Sequence, residues 1–141
     1  ETNTPEVDLA QELKYIHNYL DLQQLQYDNP NLVSYRLEGS PDNIRVAPML
    51  FIAFIENAFK HCTDKKAPEA IRLFFQIQKS EIHFEIFNMF DPAKQIKKDS
   101  SSGMGLNIIR RRLDMLYRRR YDLQINQKNG YFDVSLTIKL T

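Results

Sequence analysis

The sequence has little of what would staple, anchor or charge it. One cysteine, Cys62, stands among 141 residues. That excludes an internal disulfide framework and fits a reducing compartment. Tryptophan is absent and glycine occurs only four times. No unbroken apolar run exceeds Met49 to Ile55, far short of the roughly 20 residues that cross a bilayer. No signal-peptide pattern opens the sequence. Excess charge is lacking too: 19 Lys and Arg against 18 Asp and Glu leave +1. A chain so balanced is a poor general nucleic-acid binder, although a local basic patch could act. No Walker-type Gly-x-x-x-x-Gly-Lys occurs, no Gly-x-Ser-x-Gly elbow, and no second pair to set beside His61-Cys62 at zinc-like spacing. What is present is ordinary for a globular domain: 43% hydrophobic, 26% charged, and long enough for one core. The first residue is Glu1 rather than Met, which reads as a piece of something longer.

The hydrophobic spacing predicts the elements. Thr4 can cap and Pro5 can open a long helix, on which Leu9, Leu13, Ile16, Leu20, Gln23 and Tyr27 form a heptad seam with one polar break. The seam suits either a helix lying on its own domain or a piece of a dimeric stalk. Asp28-Asn29-Pro30-Asn31 ends it. Val33 to Leu37 reads as a short strand, Gly39 to Asn43 as a turn, and Pro48 to His61 as a helix apolar nearly all round, hence buried. Ile71 to Gln78 and Ile82 to Asn88 alternate like strands joined at Lys79-Ser80. Asp91 to Ser102 is a polar loop. Leu106, Ile109, Leu113, Leu116 and Tyr117 mark one face of another helix. Leu123 to Gln127 and Tyr131 to Leu140 form a hairpin through Asn129-Gly130. This order, helix then β-α-β-β-loop-α-β-β, predicts a two-layer α/β sandwich: a mixed sheet with helices on one face.

Three features carry chemistry. Glu56 and Asn57 interrupt the buried helix, and Asn57, Lys60 and His61 share a face at i, i+3 and i+4. A carboxylate, an amide oxygen, an ammonium and an imidazole in one small volume can hold a divalent cation and phosphate oxygens. The plainer reading is an ion pair between Glu56 and Lys60 at a solvated helix end. Next, Ser102-Gly103-Met104-Gly105-Leu106 precedes an amphipathic helix. Glycines let a ligand approach the backbone, and the helix start favours phosphate; alone, the glycines mark only a turn. Last, Arg110 to Arg112 and Arg118 to Arg120 suit an acidic partner or, more simply, a solvated face. His17 lies outside the seam and His83 alternates with apolar residues, so both are expected at the surface.

Together, Glu56-Asn57-Ala58-Phe59-Lys60-His61 and Gly103-Met104-Gly105-Leu106-Asn107-Ile108-Ile109-Arg110 resemble the N box and glycine box of sensor histidine kinases. In particular they resemble those of the ATP-binding domain of the LytS/YehU-like subfamily of two-component systems. The leader from Leu13 to Tyr27 is similar to the segment preceding that domain. The resemblance covers nearly the whole chain and implies the Bergerat (GHKL) fold. It implies a helical segment over residues 1–28, the end of a dimerisation stalk, and an ATP-binding catalytic domain over residues 29–141. It implies ATP and Mg²⁺ as cofactors, with Asn57 holding the metal and Glu56 as the catalytic acid/base that orients the attacking group. Lys60 and His61 would lie near the phosphates, and Gly103, Met104, Gly105 and Leu106, with Ser102 before them, would wrap them. Lys94, Lys97 and Lys98 on the lid, Asp91 to Ser102, would neutralise charge. Asn88 stands where the family has an adenine-reading Asp, and its amide can accept or donate; the glycine that follows there is missing. Tyr131-Phe132 stands where Gly-Thr is usual.

The resemblance further implies phosphoryl transfer to a histidine outside this chain, since His17 does not match the acceptor motif. It implies a homodimer in the full-length protein, a cognate response regulator, no direct nucleic-acid contact, and a cytoplasmic location with any inner-membrane anchor upstream. Two alternatives stay open on sequence: a non-catalytic, nucleotide-responsive signalling module with degenerate base recognition, and a related kinase acting on serine.

Overall fold

Strict alternation decides the sheet. In β4 (Ile71–Ile77) residues Ile71, Leu73, Phe75 and Ile77 are buried, and in β5 (Glu81–Phe90) every even-numbered residue is. A pleated strand sends such residues to one face, and a helix layer covers that face here. The computed structural model describes residues 5–94, 102–128 and 130–140, and for residues 102–104 the backbone alone. Helix α1 spans Leu9–Tyr27, β2 Val33–Glu38, α2 Leu50–His61, α3 Ser102–Tyr117, β6 Tyr121–Lys128 and β7 Gly130–Lys139. The five long strands order as β2-β4-β5-β7-β6. β2 runs parallel to β4 and the other pairs are antiparallel. The predicted sandwich, a mixed sheet with helices on one face and a long helix at the front, is thus what forms.

Aromatic packing seals the two layers. Phe51 of α2 meets Phe75 and Phe84 at ring separations of 5.2 and 5.1 Å, and Phe75 meets Phe84 at 4.9 Å. All three are fully buried. Leu9, Leu13, Ile16 and Leu20 of α1 join this same core. Of the two readings of the heptad seam, its apolar part is therefore spent on the helix's own domain. Gln24, next to the polar break, turns its side-chain oxygen to the Val33 amide at 3.2 Å and fixes the start of β2.

The front of the chain departs from expectation. Thr4 lies outside the described residues, and the helix begins at Leu9, after Pro5. Val7–Asp8 (β1) is extended and pairs antiparallel with Arg45–Val46 (β3). The Leu9 amide donates to the Ile44 carbonyl at 2.8 Å, and Arg45 reaches both the Asp8 carboxylate and the Glu6 carbonyl. These tertiary bonds outweigh one more helical turn, because they bury Val46 completely. The basic clusters are also only partly solvated. Arg112 donates to the Pro48 carbonyl, and Arg120 to the carbonyls of Lys139 and Leu140. His17 is exposed, packing edge-on to Tyr35 at 4.7 Å. His83 is only half-buried and meets the Thr137 hydroxyl at 3.0 Å.

Gly39 is required where it stands. Its φ is +91°, and a Cβ there would sit 2.0 Å from the Ile77 carbonyl oxygen. Only glycine adopts that backbone without strain.

Candidate functional site

Helix α2 changes character along its length. Leu50, Phe51, Ile52, Phe54 and Ile55 are buried, whereas Glu56 and Lys60 are exposed and Asn57 and His61 half-buried. Sequence placed Glu56 inside an apolar helix; in the fold it projects from it. Of the half-buried pair, His61 faces the end of the sheet. His61 stacks on Phe132 of β7, with ring centres 6.4 Å apart and planes at 26°. Phe132 is the register partner of Asn88 and packs against Phe90 at 6.3 Å.

Asn88 is 2% exposed, so both ends of its amide need partners. Its Nδ2 donates to the Met89 carbonyl at 3.1 Å, leaving Oδ1 as the acceptor. The chain after α2 is stitched to this strand end. The Thr63 amide donates to the Met89 carbonyl at 3.2 Å, and the Thr63 hydroxyl accepts from the Asp91 amide at 2.9 Å. Cys62, just before Thr63, is buried, and burial pushes its thiol up. Among the described residues no three His, Cys, Asp or Glu side chains cluster as a metal cage.

The glycine segment comes to this same place. It is not a loop, as the sequence suggested, but the first turn of α3, beginning at Ser102. The first N–H groups of a helix have no partner within it and carry the positive end of the dipole. Gly105 lies over α2: a Cβ added there would be 3.6 Å from Oδ1 of Asn57. Gly103 and Met104 share that turn, and Leu106 is half-buried against the core. The fold thus unites Asn57, on the same helix as Glu56, Lys60 and His61, with the turn carrying Ser102, Gly103, Met104, Gly105 and Leu106. Asn88 and His61 both adjoin Phe132. Lys97, Lys98 and most of the expected lid lie outside the described residues.

No profile of a known family matches the chain. The chain is 28% identical to the sensor protein LytS of Bacillus cereus over 81 residues, 57% of this chain and 14% of that protein. It is 25% identical to LytS of Staphylococcus saprophyticus over 144 aligned positions, 94% of this chain and 24% of that protein. The chain therefore spans a quarter or less of the curated relatives it matches. The nucleotide-free catalytic domain of histidine kinase ThkA superposes with a TM-score of 0.65 at 14% identity, covering 99% of this chain and 97% of that one. Histidine kinase AdeS of Acinetobacter baumannii gives 0.63 at 11% identity, covering 100% and 69%. The fold is that of a histidine-kinase catalytic domain, and the sequence is LytS-like.

Three side chains at the site escaped the sequence reading of roles. Phe132 was noted only as a substitution for Gly-Thr; extending the β7 alternation from Val134 would have put it on the core face beside Asn88. Thr63 gave no signal, being a single residue after a helix end. Tyr19 stands between Ile16 and Leu20 and packs edge-on against Phe59 at 5.6 Å. Burial, then the nearby Glu56 charge, push its hydroxyl up to about 12. Tyr19 is thus a neutral phenol in the field of Glu56.

The opposite, open face of the sheet carries a separate cleft of about 610 Å³, lined by residues including Arg36, Arg72, Phe74, Glu85, Phe87 and Asp133. Arg72 sits over the Phe87 ring at 4.3 Å. Asp133 Oδ1 is buried there and has no hydrogen-bond partner among the described residues. Desolvation first, and the Glu85 carboxylate second, hold Asp133 up to about 6.

Proposed function

We propose that this chain is the ATP-binding catalytic domain of a sensor histidine kinase, a protein-histidine kinase module that holds Mg-ATP for phosphoryl transfer to a histidine outside the chain. The observation that supports it most is the approach of Gly105 to Asn57 Oδ1. Two segments far apart in sequence meet where a helix N-terminus lies beside an amide oxygen, a setting for phosphate and a hard cation.

Residue roles follow from position. Asn57 would hold Mg²⁺ through Oδ1; with no carboxylate cage among the described residues, the other ligands would be phosphate oxygens and water, the usual manner for this ion with nucleotides. When bound, the ion neutralises phosphate charge. Backbone N–H groups of Ser102, Gly103 and Met104 at the start of α3 would bind the phosphates, with Gly105 and Leu106 completing that turn and Lys60, His61 and Lys97 adding positive charge. Asn88 Oδ1 would accept from the adenine amino group, and Phe132 would close that end. Glu56 is exposed, so a histidine carried by another part of the protein can reach it. It would take up the imidazole proton and orient the ring. Such catalysis is positioning and charge neutralisation.

In the longer protein, residues 1–28 would join this domain, residues 29–141, to a dimer stalk. A cytoplasmic location with a membrane anchor upstream in the longer protein, and a response regulator as partner, complete the reading. ThkA, of the same fold, has been seen with response regulator TrrA.

Calorimetric titration with Mg-ATP, Mg-GTP and metal-free ATP tests the proposal. Metal-dependent binding that prefers ATP is expected. Absence of binding to all three would replace it with a non-catalytic signalling module, the reading that the Asn88 and Phe132 departures favour.

A further inference from the structure

The entry to α2 is held by three consecutive backbone bonds, each from a different side chain. The Ala47 amide donates to the Tyr117 hydroxyl at 2.9 Å, the Pro48 carbonyl accepts from the Arg112 guanidinium, and the Met49 amide donates to Glu12 Oε1 at 2.8 Å. Tyr117 and Arg112 belong to α3 and Glu12 to α1. Glu12 and Tyr117 are 7% and 3% exposed, so these bonds are sheltered from water, where losing one partner is costly.

Met49 shows that the grip is under load. It is the N-cap of α2 at φ 63° and ψ 17°, a left-handed conformation that L side chains resist. Its own side chain is 44% exposed and gives no reason for that conformation. The Met49 side chain makes no capping hydrogen bond. Glu12 instead supplies an acceptor for the Met49 amide and a negative charge at the positive end of α2.

The other end of the same pair of helices is the candidate site. Arg112 and Tyr117 lie in the C-terminal half of α3, and Gly105 lies in its first turn against Asn57. A helix is stiff along its axis, rising 1.5 Å per residue. Slip at Arg112 and Tyr117 therefore appears undiminished at Gly105. Helix α1 grips α2 twice, at Met49 through Glu12 and at Phe59 through Tyr19.

We propose that Glu12, Arg112 and Tyr117 are positioning residues. By clasping Ala47-Pro48-Met49 they set the register of α3 against α2, and so the gap between the glycine turn and Asn57, and they make that gap answer to the position of α1. The nucleotide arm of the test rests on the function proposed above; the exchange arm does not.

The test uses the full chain with Tyr117→Phe, Glu12→Ala and Glu12→Gln, the last keeping an oxygen acceptor for the Met49 amide. Gly39→Ala, remote from the clasp, serves as a destabilised control. Amide hydrogen exchange at residues 105–109 is measured without nucleotide, beside the melting temperature and Mg-ATP affinity. Tyr117→Phe and Glu12→Ala are expected to speed exchange there about tenfold and to weaken Mg-ATP about fivefold. Glu12→Gln should return both to within about twofold of the parent, and Gly39→Ala should lower the melting temperature without either effect. Exchange and affinity that merely track the melting temperature across all four variants would overturn the proposal. If the parent binds no nucleotide, the proposed function fails, and exchange at residues 105–109 still decides the clasp.

Discussion

Gly105→Ala is expected to move stability and nucleotide affinity in opposite directions. Gly105 lies within α3, where replacing glycine by alanine stabilises a helix by about 0.5–1 kcal/mol. Among the described residues, the added methyl meets nothing closer than Asn57 Oδ1 at 3.6 Å, an ordinary contact that requires no repacking. The free domain should therefore melt a few degrees higher, since about 1 kcal/mol shifts Tm by 2–8 °C over domains of this size range. The same methyl covers the oxygen assigned to Mg²⁺ and fills the approach of a phosphate to the backbone. Partial desolvation of one such polar group is worth about 1–3 kcal/mol, so Mg-ATP affinity should fall about tenfold. A melting scan and a calorimetric titration on one preparation read both. Higher Tm with unchanged affinity would refute the site: Gly105 would then be only a helix residue, and Asn57 would not face the phosphates.

Asn57→Ala should abolish metal-dependent binding while leaving the melt near the parent, because Asn57 is half-buried; titration of Mg-ATP against metal-free ATP shows it. Gly39→Ala combines a forbidden φ with a Cβ 2.0 Å from the Ile77 carbonyl oxygen, and denaturant melts should show a loss of about 3 kcal/mol. Asp133→Asn should stabilise at pH 7–8 and not at pH 4. A carboxyl raised from 3.8 to about 6 binds its proton more tightly folded than unfolded, so its contribution is favourable below pH 4 and lost as pH rises to 6. Undiscounted the shift is worth about 3 kcal/mol, and solvent screening at this open face reduces it to about 1 kcal/mol; melts across pH 4–8 that show no pH-dependent gain would remove the carboxylate pair. Asn88→Asp should destabilise by about 2 kcal/mol, since it exchanges a satisfied buried donor for a buried charge; a stability equal to the parent would mean that Asn88 opens to solvent.

What the sequence could show was set by how local each signal is. The period-2 runs of β4 and β5 and the Asn129-Gly130 turn are properties of adjacent residues, and their strands form within a residue or two of expectation. The β1–β3 pair has two residues a side, too short for any period, and depends on Arg45 finding Asp8 across the chain. The start of α1 was misjudged for that reason: Thr4-Pro5 is a sound local cap, and a remote strand outbid it. The glycine segment shows the reverse error. Its composition reads as a loop, but a helix N-terminus tolerates glycine when a neighbour needs close approach, and the neighbour is Asn57.

The same distinction separates the chemistry from its support. As candidates, Asn57, Lys60 and His61 stand out in the sequence because one helix face gathers them, and Gly103 to Leu106 because glycine is scarce in this chain. Glu12 was not: in sequence it is one more acidic residue flanking a heptad seam, with no partner within a helical turn to mark it. Its importance comes from Met49, whose left-handed backbone no propensity foretells. A strained residue persists only where its surroundings hold it, and the holders here are side chains of the two helices flanking α2. Residues that do the chemistry can cluster in sequence because one element presents them. Residues that fix where that element lies must come from other elements, so they become visible only when the chain has folded.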